Sequence, residues 1–231
     1  MRIAVEEIKF YALKYNDMAY FSEDPVIFPR HFAAHGACLQ DVEIAAVFAA
    51  HLAWGRRCMI VRDCRRAFDQ MDWKPYEYVM RGGYKDDPVS LHRTVKWSEF
   101  AAICSKLKAI YERSDTLEKL SPDEFRTLVY GQKSDLRAAN KKIHLLRRWM
   151  VRRDGKVDMG LWKQTDPASL IIPLDTHVHS QAIALGITDR KPTDLRTADE
   201  ITGYFRNIFP EDPVLGDFAL FGLGVTGVSL K

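Results

Sequence analysis

The chain has 231 residues and a mass of 26.6 kDa, enough for one large domain or two small lobes with a proper core. Hydrophobic residues make up 47% and charged residues 28%, an ordinary balance for a folded protein, and thirteen Gly and ten Pro leave no room for a long flexible linker. A net charge of +3 does not by itself indicate a polyanionic partner, so only the placement of the charges can argue for one. Cys38, Cys58, Cys64 and Cys104 form no CxxC pair, which argues against a zinc or iron–sulfur site built from four local ligands. No cofactor is expected, and the scattered thiols fit a cytoplasmic protein. No segment reaches the roughly 20 apolar residues of a membrane span. The opening MRIAVEEIKF carries acids where a signal peptide would be apolar.

Ile3, Ile8, Tyr11 and Tyr15 share a helical face and predict a first helix over residues 3–15. Residues 24–36 read as a loop. Asp41 is placed to cap VEIAAVFAAHLAW, which is apolar nearly all round and predicts a buried central helix ended by Gly55. Next comes RRCMIVRDCRRAFDQM, with Ile60, Cys64 and Phe68 every fourth residue and arginines between them. Lys74-Pro75 starts a short helix that ends at Gly82-Gly83, and residues 84–97 are loop-like. Ser98 opens a helix carrying Phe100, Ile103, Leu107 and Ile110. Ser121-Pro122-Asp123-Glu124 is a capping box, and Gly131 closes the helix it starts.

Ser134–Val151 reads as one long helix, followed by the longest irregular connection, residues 152–172. Asp175 caps a helix that stops at Gly186. A second capping box at Thr197–Glu200 opens a helix to about Ile208, Phe209-Pro210 breaks it, and the last helix runs from about Pro213 to Phe221. No run shows period-two alternation, so the pattern predicts an all-α chain. It is expected to form one unit, 1–231, of two helical lobes with a cleft between. The central lobe would span about 41–151 and the second 1–40 plus 165–231.

The chemistry is organised around Ile171–Gly186, IIPLDTHVHSQAIALG. An aspartate fixed as a helix cap cannot swing freely, so it can be aimed into a cleft, although most such aspartates only cap. On the helix before it, Arg137, Lys141, His144, Arg148 and Arg152 are spaced 4, 3, 4 and 4 apart and share one face. Few acids neutralise them, only Asp135 within that helix and Asp154 and Asp158 after it, so the stripe is expected to face solvent and suit a phosphate backbone. Arg56, Arg57, Arg62, Arg65 and Arg66 form a second basic group. Trp54, Trp149 and Trp162 are candidates to stack a flipped base, with His177 beside them, although aromatics at helical spacing are more often core. Asp175, His177 and His179 give D-x-H-x-H, a metal-site spacing on a strand. On a helix the three cannot converge, which leaves His177 in the core or supporting the site and His179 at the surface.

The PLDTHV motif resembles the presentation of the catalytic aspartate in helix-hairpin-helix DNA glycosylases. LRRWMVR, VDMGLW and IIPLDTHV also resemble an uncharacterised bacterial family that looks like a divergent member of that superfamily. The resemblance implies an all-α glycosylase-like fold, a DNA partner, and base excision on a flipped, damaged nucleotide. Asp175 matches the aspartate, and Lys141, with Lys142 next, matches the lysine nucleophile of the bifunctional enzymes. The 34 positions from Lys141 to Asp175 are similar to the long connection of archaeal 8-oxoguanine glycosylases. The Leu-Pro-Gly-Val-Gly hairpin of the superfamily and the four-cysteine cluster of its endonuclease III branch are absent from the sequence. Two other readings stay open. One is a nucleic-acid-binding relative with Lys141 turned away from Asp175; the other is a metal-dependent hydrolase using Asp175, His177 and His179.

Overall fold

Residues 4–226 are described by the structure, a computed structural model, and helices dominate them. The order is α1 (Val5–Tyr15), α2 (Ile27–Ala34), α3 (Leu39–Leu52), α4 (Arg57–Gln70), α5 (Pro75–Arg81), β1 (Ser90–His92), β2 (Val95–Lys96), α6 (Trp97–Tyr111) and α7 (Pro122–Glu124). Then follow α8 (Lys141–Val151), α9 (Thr176–Ala184), α10 (Leu195–Arg206) and α11 (Gly216–Thr226). The chain forms two compact units, Phe21–Ser134 in one and Met1–Tyr20 with Asp135–Lys231 in the other. These bounds differ from the expected lobes. α2 packs against α3 and so joins the central unit, whereas α8 belongs with α9.

In the unit Phe21–Ser134, α3 is buried along almost its whole length, as its all-round apolarity predicts. Its Glu43 is 0% exposed and accepts hydrogen bonds from Tyr111 Oη (2.9 Å), Thr116 Oγ1 (2.6 Å) and Leu117 N, which satisfy a carboxylate that could not otherwise stay inside. Ile60, Cys64 and Phe68 form the buried face of α4. The expected loop 24–36 contains α2, whose Phe28 and Phe32 pack on Phe68. That helix has no side-chain cap, which is why no start signal marks it. The loop 84–97 holds the antiparallel pair β1–β2, too short to show alternation. Cys38 and Lys96 stand at the N-caps expected of Asp41 and Ser98. Asp41 instead accepts from Tyr76 N at 2.8 Å, in the first turn of α5. The capping box at Ser121 is formed, and a π-turn, Phe125–Val129, follows it.

In the other unit, α8 starts at Lys141 rather than at residue 134. Asn140 has a left-handed backbone (φ 45°), which interrupts a helix. Upstream, Ala138 bridges to Asp194 and Arg137 O accepts from Leu195 N at 2.8 Å, so these backbone groups serve another part of the unit. Asp194, not Thr197, caps α10, and its Oδ1 accepts from Thr197 N at 2.9 Å. A short 3-10 turn, Pro213–Leu215, leads into α11. Ile8, Ile172, Val178, Phe205 and Leu220, drawn from α1, α9, α10, α11 and the segment before α9, are buried in one core.

Candidate active site at the starts of helices α8 and α9

Asp175 occupies the N-cap of α9, as its position after Pro173-Leu174 predicts. One carboxylate oxygen, Oδ1, accepts from His177 N and Val178 N, each at 2.9 Å. The other, Oδ2, lies 3.8 Å from Lys141 Nζ, the first residue of α8. The side chains are 30% and 34% exposed, so the pair is reachable from solvent. At 3.8 Å the two groups attract as charges but do not share a hydrogen bond. Lys142, half-buried, leaves the helix about 100° further round. The structure thus brings together Lys141 and Asp175, which stand 34 positions apart in the chain.

Most of the expected stripe does not face solvent. Arg137 is exposed, but Arg148 is 5% and Arg152 1% exposed. Arg148 reaches Asp158 Oδ1 with Nε (3.3 Å) and Asp217 with Nη1. Arg152 binds Asp212 through Nε (3.0 Å to both oxygens), Asp158 through Nη1 (2.5 Å) and Asp154 through Nη2 (2.8 Å). Both guanidinium groups lie over the Phe218 ring. Burial disfavours the charge on Arg152, but Asp158, Asp212 and Asp154 more than reverse that, so its pKa is raised. The neutralising acids are Asp154 and Asp158, which follow the helix in sequence, and Asp212 and Asp217, which a count of neighbours along the chain cannot reveal.

The local chain path makes this possible. After α8 the backbone doubles back along it: Met159 N donates to Trp149 O (2.8 Å) and Trp162 N to Met150 O (2.8 Å), which seats Asp158 under the helix. Gly160 permits the close pass, since a Cβ there would stand 2.5 Å from Arg152 O and its φ is +61°.

Asp217, in the first turn of α11, is buried, and its carboxyl is pushed up to about 6. Burial is the largest cause; Asp175 and Asp158 push the same way, and Arg148 opposes them. Asp217 therefore feels the charge of Asp175. His144, one turn beyond Lys141, is also buried, and its pKa is pushed down to about 4 by burial and by Arg147. Neither Asp217 nor Asp158 was among the sequence candidates. Asp217 follows Gly216 at a helix start, and that was the available signal.

The candidates for base stacking separate. Trp149 and Trp162 are 0% exposed and belong to the core, while Trp54, in the other unit, is 37% exposed. The two histidines exchange their expected places. His177 is exposed, and His179 is buried with Nε2 2.7 Å from Arg190 O. Among the described residues no group of three His, Cys, Asp or Glu side chains could hold a metal ion. Among the same residues no helix is long and apolar enough to cross a membrane.

The family model described as protein of unknown function, DUF2400, matches residues 24–135 and 123–226. The chain belongs to that family. No curated protein and no solved structure matches it. The match runs through both units and includes Lys141, Asp175 and Asp217. The DUF2400 description names no activity, so the chemistry has to be argued from the side chains.

Proposed function

We propose that this DUF2400 chain is a DNA base-excision glycosylase with Schiff-base lyase activity, built on a divergent helix-hairpin-helix glycosylase fold. The observation that carries the reading is the 3.8 Å approach of Lys141 Nζ to an Asp175 carboxylate locked as a helix cap. A relative that only binds nucleic acid is expected to turn this lysine away from the carboxylate. The order of helices and the PLDTHV motif support the fold assignment.

As the N-glycosidic bond breaks, its electron pair leaves with the base and positive charge develops at C1′. Asp175 stabilises that charge, and the Lys141 amine forms the new N–C1′ bond. The amine's proton passes to Asp175. Ring opening then transfers the C1′–O4′ electron pair to O4′, which takes that proton back from Asp175 while the nitrogen lone pair closes the C1′=N bond of an iminium to lysine; the departed base takes its proton from solvent. Arg137, in the same unit as Lys141 and Asp175, is exposed and can meet a phosphate; Arg56 and Arg57, in the other unit, are exposed as well. Arg148 and Arg152 are committed to internal carboxylates and take no part in binding.

The test is borohydride trapping on duplexes carrying an abasic site or 8-oxoguanine. Wild type should give a covalent adduct and Lys141→Gln should give none. Asp175→Asn should release base at least tenfold more slowly. No adduct on any damaged duplex removes Lys141 from the nucleophile role, and loss of trapping in Lys142→Gln alone moves the role by one residue.

A further inference from the structure

In the unit Phe21–Ser134, the turn between α3 and α4 presents Trp54 with its side chain partly in solvent. Its backbone is not loose. His92 Nε2 lies 2.9 Å from Trp54 O, and His92 Nδ1 lies 2.8 Å from Asp63 Oδ2. His92 and Asp63 are 0% and 1% exposed, so the exposed indole stands on a buried mount. Burial pushes the Asp63 carboxyl up, but hydrogen bonds from Arg62, His92 and Arg66 more than reverse this and leave it below its ordinary value. The acid within this basic cluster is thus held inside by its own arginines.

Above the mount, Arg93 sits in the turn between β1 and β2 with its guanidinium 4.4 Å from the Trp54 ring centroid. Its φ is +52°, a conformation that glycine adopts freely and an arginine does not. Gly55, directly after Trp54, has φ +101°, and a Cβ there would stand 2.6 Å from Arg93 Nη1. The two turns are thus shaped around each other so that this guanidinium lies on this indole. A glycine at position 93 would suit the turn's backbone better, so the arginine is kept there for its side chain, which lies on the indole. Arg56 and Arg57 follow in sequence, and Arg62, 61% exposed, projects beside Asp63.

We propose that the Trp54–Arg93 stack is a binding surface for DNA with an unstacked base. The base lies on the indole–guanidinium pair, and the flanking phosphates meet Arg56, Arg57 and Arg62. Paired aromatic and cationic groups suit this ligand because every base has a π-face and every nucleotide carries a charge. The inference goes beyond the reading of Lys141 and Asp175 and does not rest on their chemistry. The strands that test it carry no lesion, so a protein that fails the borohydride trap can still pass here.

The experiment is fluorescence anisotropy of the full chain with a short labelled oligo(dT), against an abasic strand of equal length, at two salt concentrations. Wild type should prefer oligo(dT), and its affinity should fall as salt rises. Trp54→Ala should lose about tenfold on oligo(dT) and little on the abasic strand, while Trp54→Phe retains most of the affinity. Arg93→Gly should bind both strands severalfold more weakly, yet melt no lower than wild type, because glycine suits that backbone. Equal binding of the two strands, affinity indifferent to salt, or wild-type affinity in both Trp54→Ala and Arg93→Gly would overturn the proposal. Displacement of oligo(dT) by polyglutamate at matched charge would assign the surface to acidic polymers instead.

Discussion

Helices α4 and α8 are both rich in arginine, yet Arg62 and Arg66 keep side chains 61% and 43% exposed, whereas Arg148 and Arg152 are 6% and 1% exposed. In α4 one buried aspartate, Asp63, takes two arginines and leaves both largely or partly in solvent. At the end of α8 two arginines, Arg148 within the helix and Arg152 just after it, take four aspartates, Asp154, Asp158, Asp212 and Asp217, and vanish into the unit. The ratio of acids to bases decides which helix can present charge to a partner. Here Asp154 and Asp158 come from the stretch just after α8, and Asp212 and Asp217 from 60 or more positions away. A cation with several buried carboxylates around it is a structural element, and a cation that outnumbers its carboxylates is available to bind.

The largest expected effect tests that division directly. Removing one partner of a buried ion-pair network leaves uncompensated charge, so Arg152→Ala should lower the unfolding free energy by about 3–5 kcal/mol, with Arg148→Ala close behind. Arg56→Ala and Arg57→Ala should each stay within about 0.5 kcal/mol, as exposed substitutions do. Urea unfolding of the four variants gives the comparison. A loss below about 1 kcal/mol for Arg152→Ala would mean that the network is hydrated and that α8 remains a candidate DNA surface.

The next effect contrasts two buried aspartates across pH. Asp217 has a folded pKa of about 6 against an ordinary value of 3.8. Between those values the native state keeps a proton that the unfolded chain has released. Its contribution therefore falls as pH rises through that window, by an amount on the order of 3 kcal/mol, and is level above it. Asp63 runs the other way. Its lowered pKa contributes stability above the ordinary carboxylate value, and that contribution is lost as pH falls through the folded pKa. Stability measured at pH 4.5 and 6.5 should drop more in wild type than in Asp217→Asn, which cannot titrate. Equal drops in the two proteins would show that Arg148 keeps Asp217 ionised throughout.

These contrasts also explain which parts of the structure were legible in the sequence. The buried faces of α3 and α4, the cap at Asp175 and the capping box at Ser121 all follow from local chemistry, and all are formed. The pairing of Lys141 with Asp175 was expected from resemblance, and the ion pair exists. What failed depended on distant partners. Residues 134–140 have helical composition, but their backbone bonds to Asp194 and Leu195 instead. Arg148 and Arg152 were assigned to the surface because their acids lie up to 69 positions away. Trp54 and Arg93 meet across two turns, and no periodicity connects them.

The smallest effect separates the two tasks of Asp175, capping a helix and holding a charge beside Lys141. The pair with Lys141 is about one-third exposed on both sides and spans 3.8 Å, so its own contribution to stability should be small, at most about 1 kcal/mol. The cap is a separate matter, because Oδ1 satisfies two backbone N–H groups that otherwise have no acceptor in the first turn. Asparagine keeps an oxygen in that place and caps about as well, whereas alanine offers none. Asp175→Asn should therefore change the unfolding free energy by only a few tenths of a kcal/mol, and Asp175→Ala should cost about 1 kcal/mol. Lys141→Gln should resemble Asp175→Asn in stability, since both dissolve the ion pair and leave the cap. If Asp175→Asn is instead as damaging as Asp175→Ala, the charge does the stabilising, and the carboxylate would be explained by the fold without any chemistry. A stable Asp175→Asn that has lost base release would leave chemistry as the reason for the carboxylate.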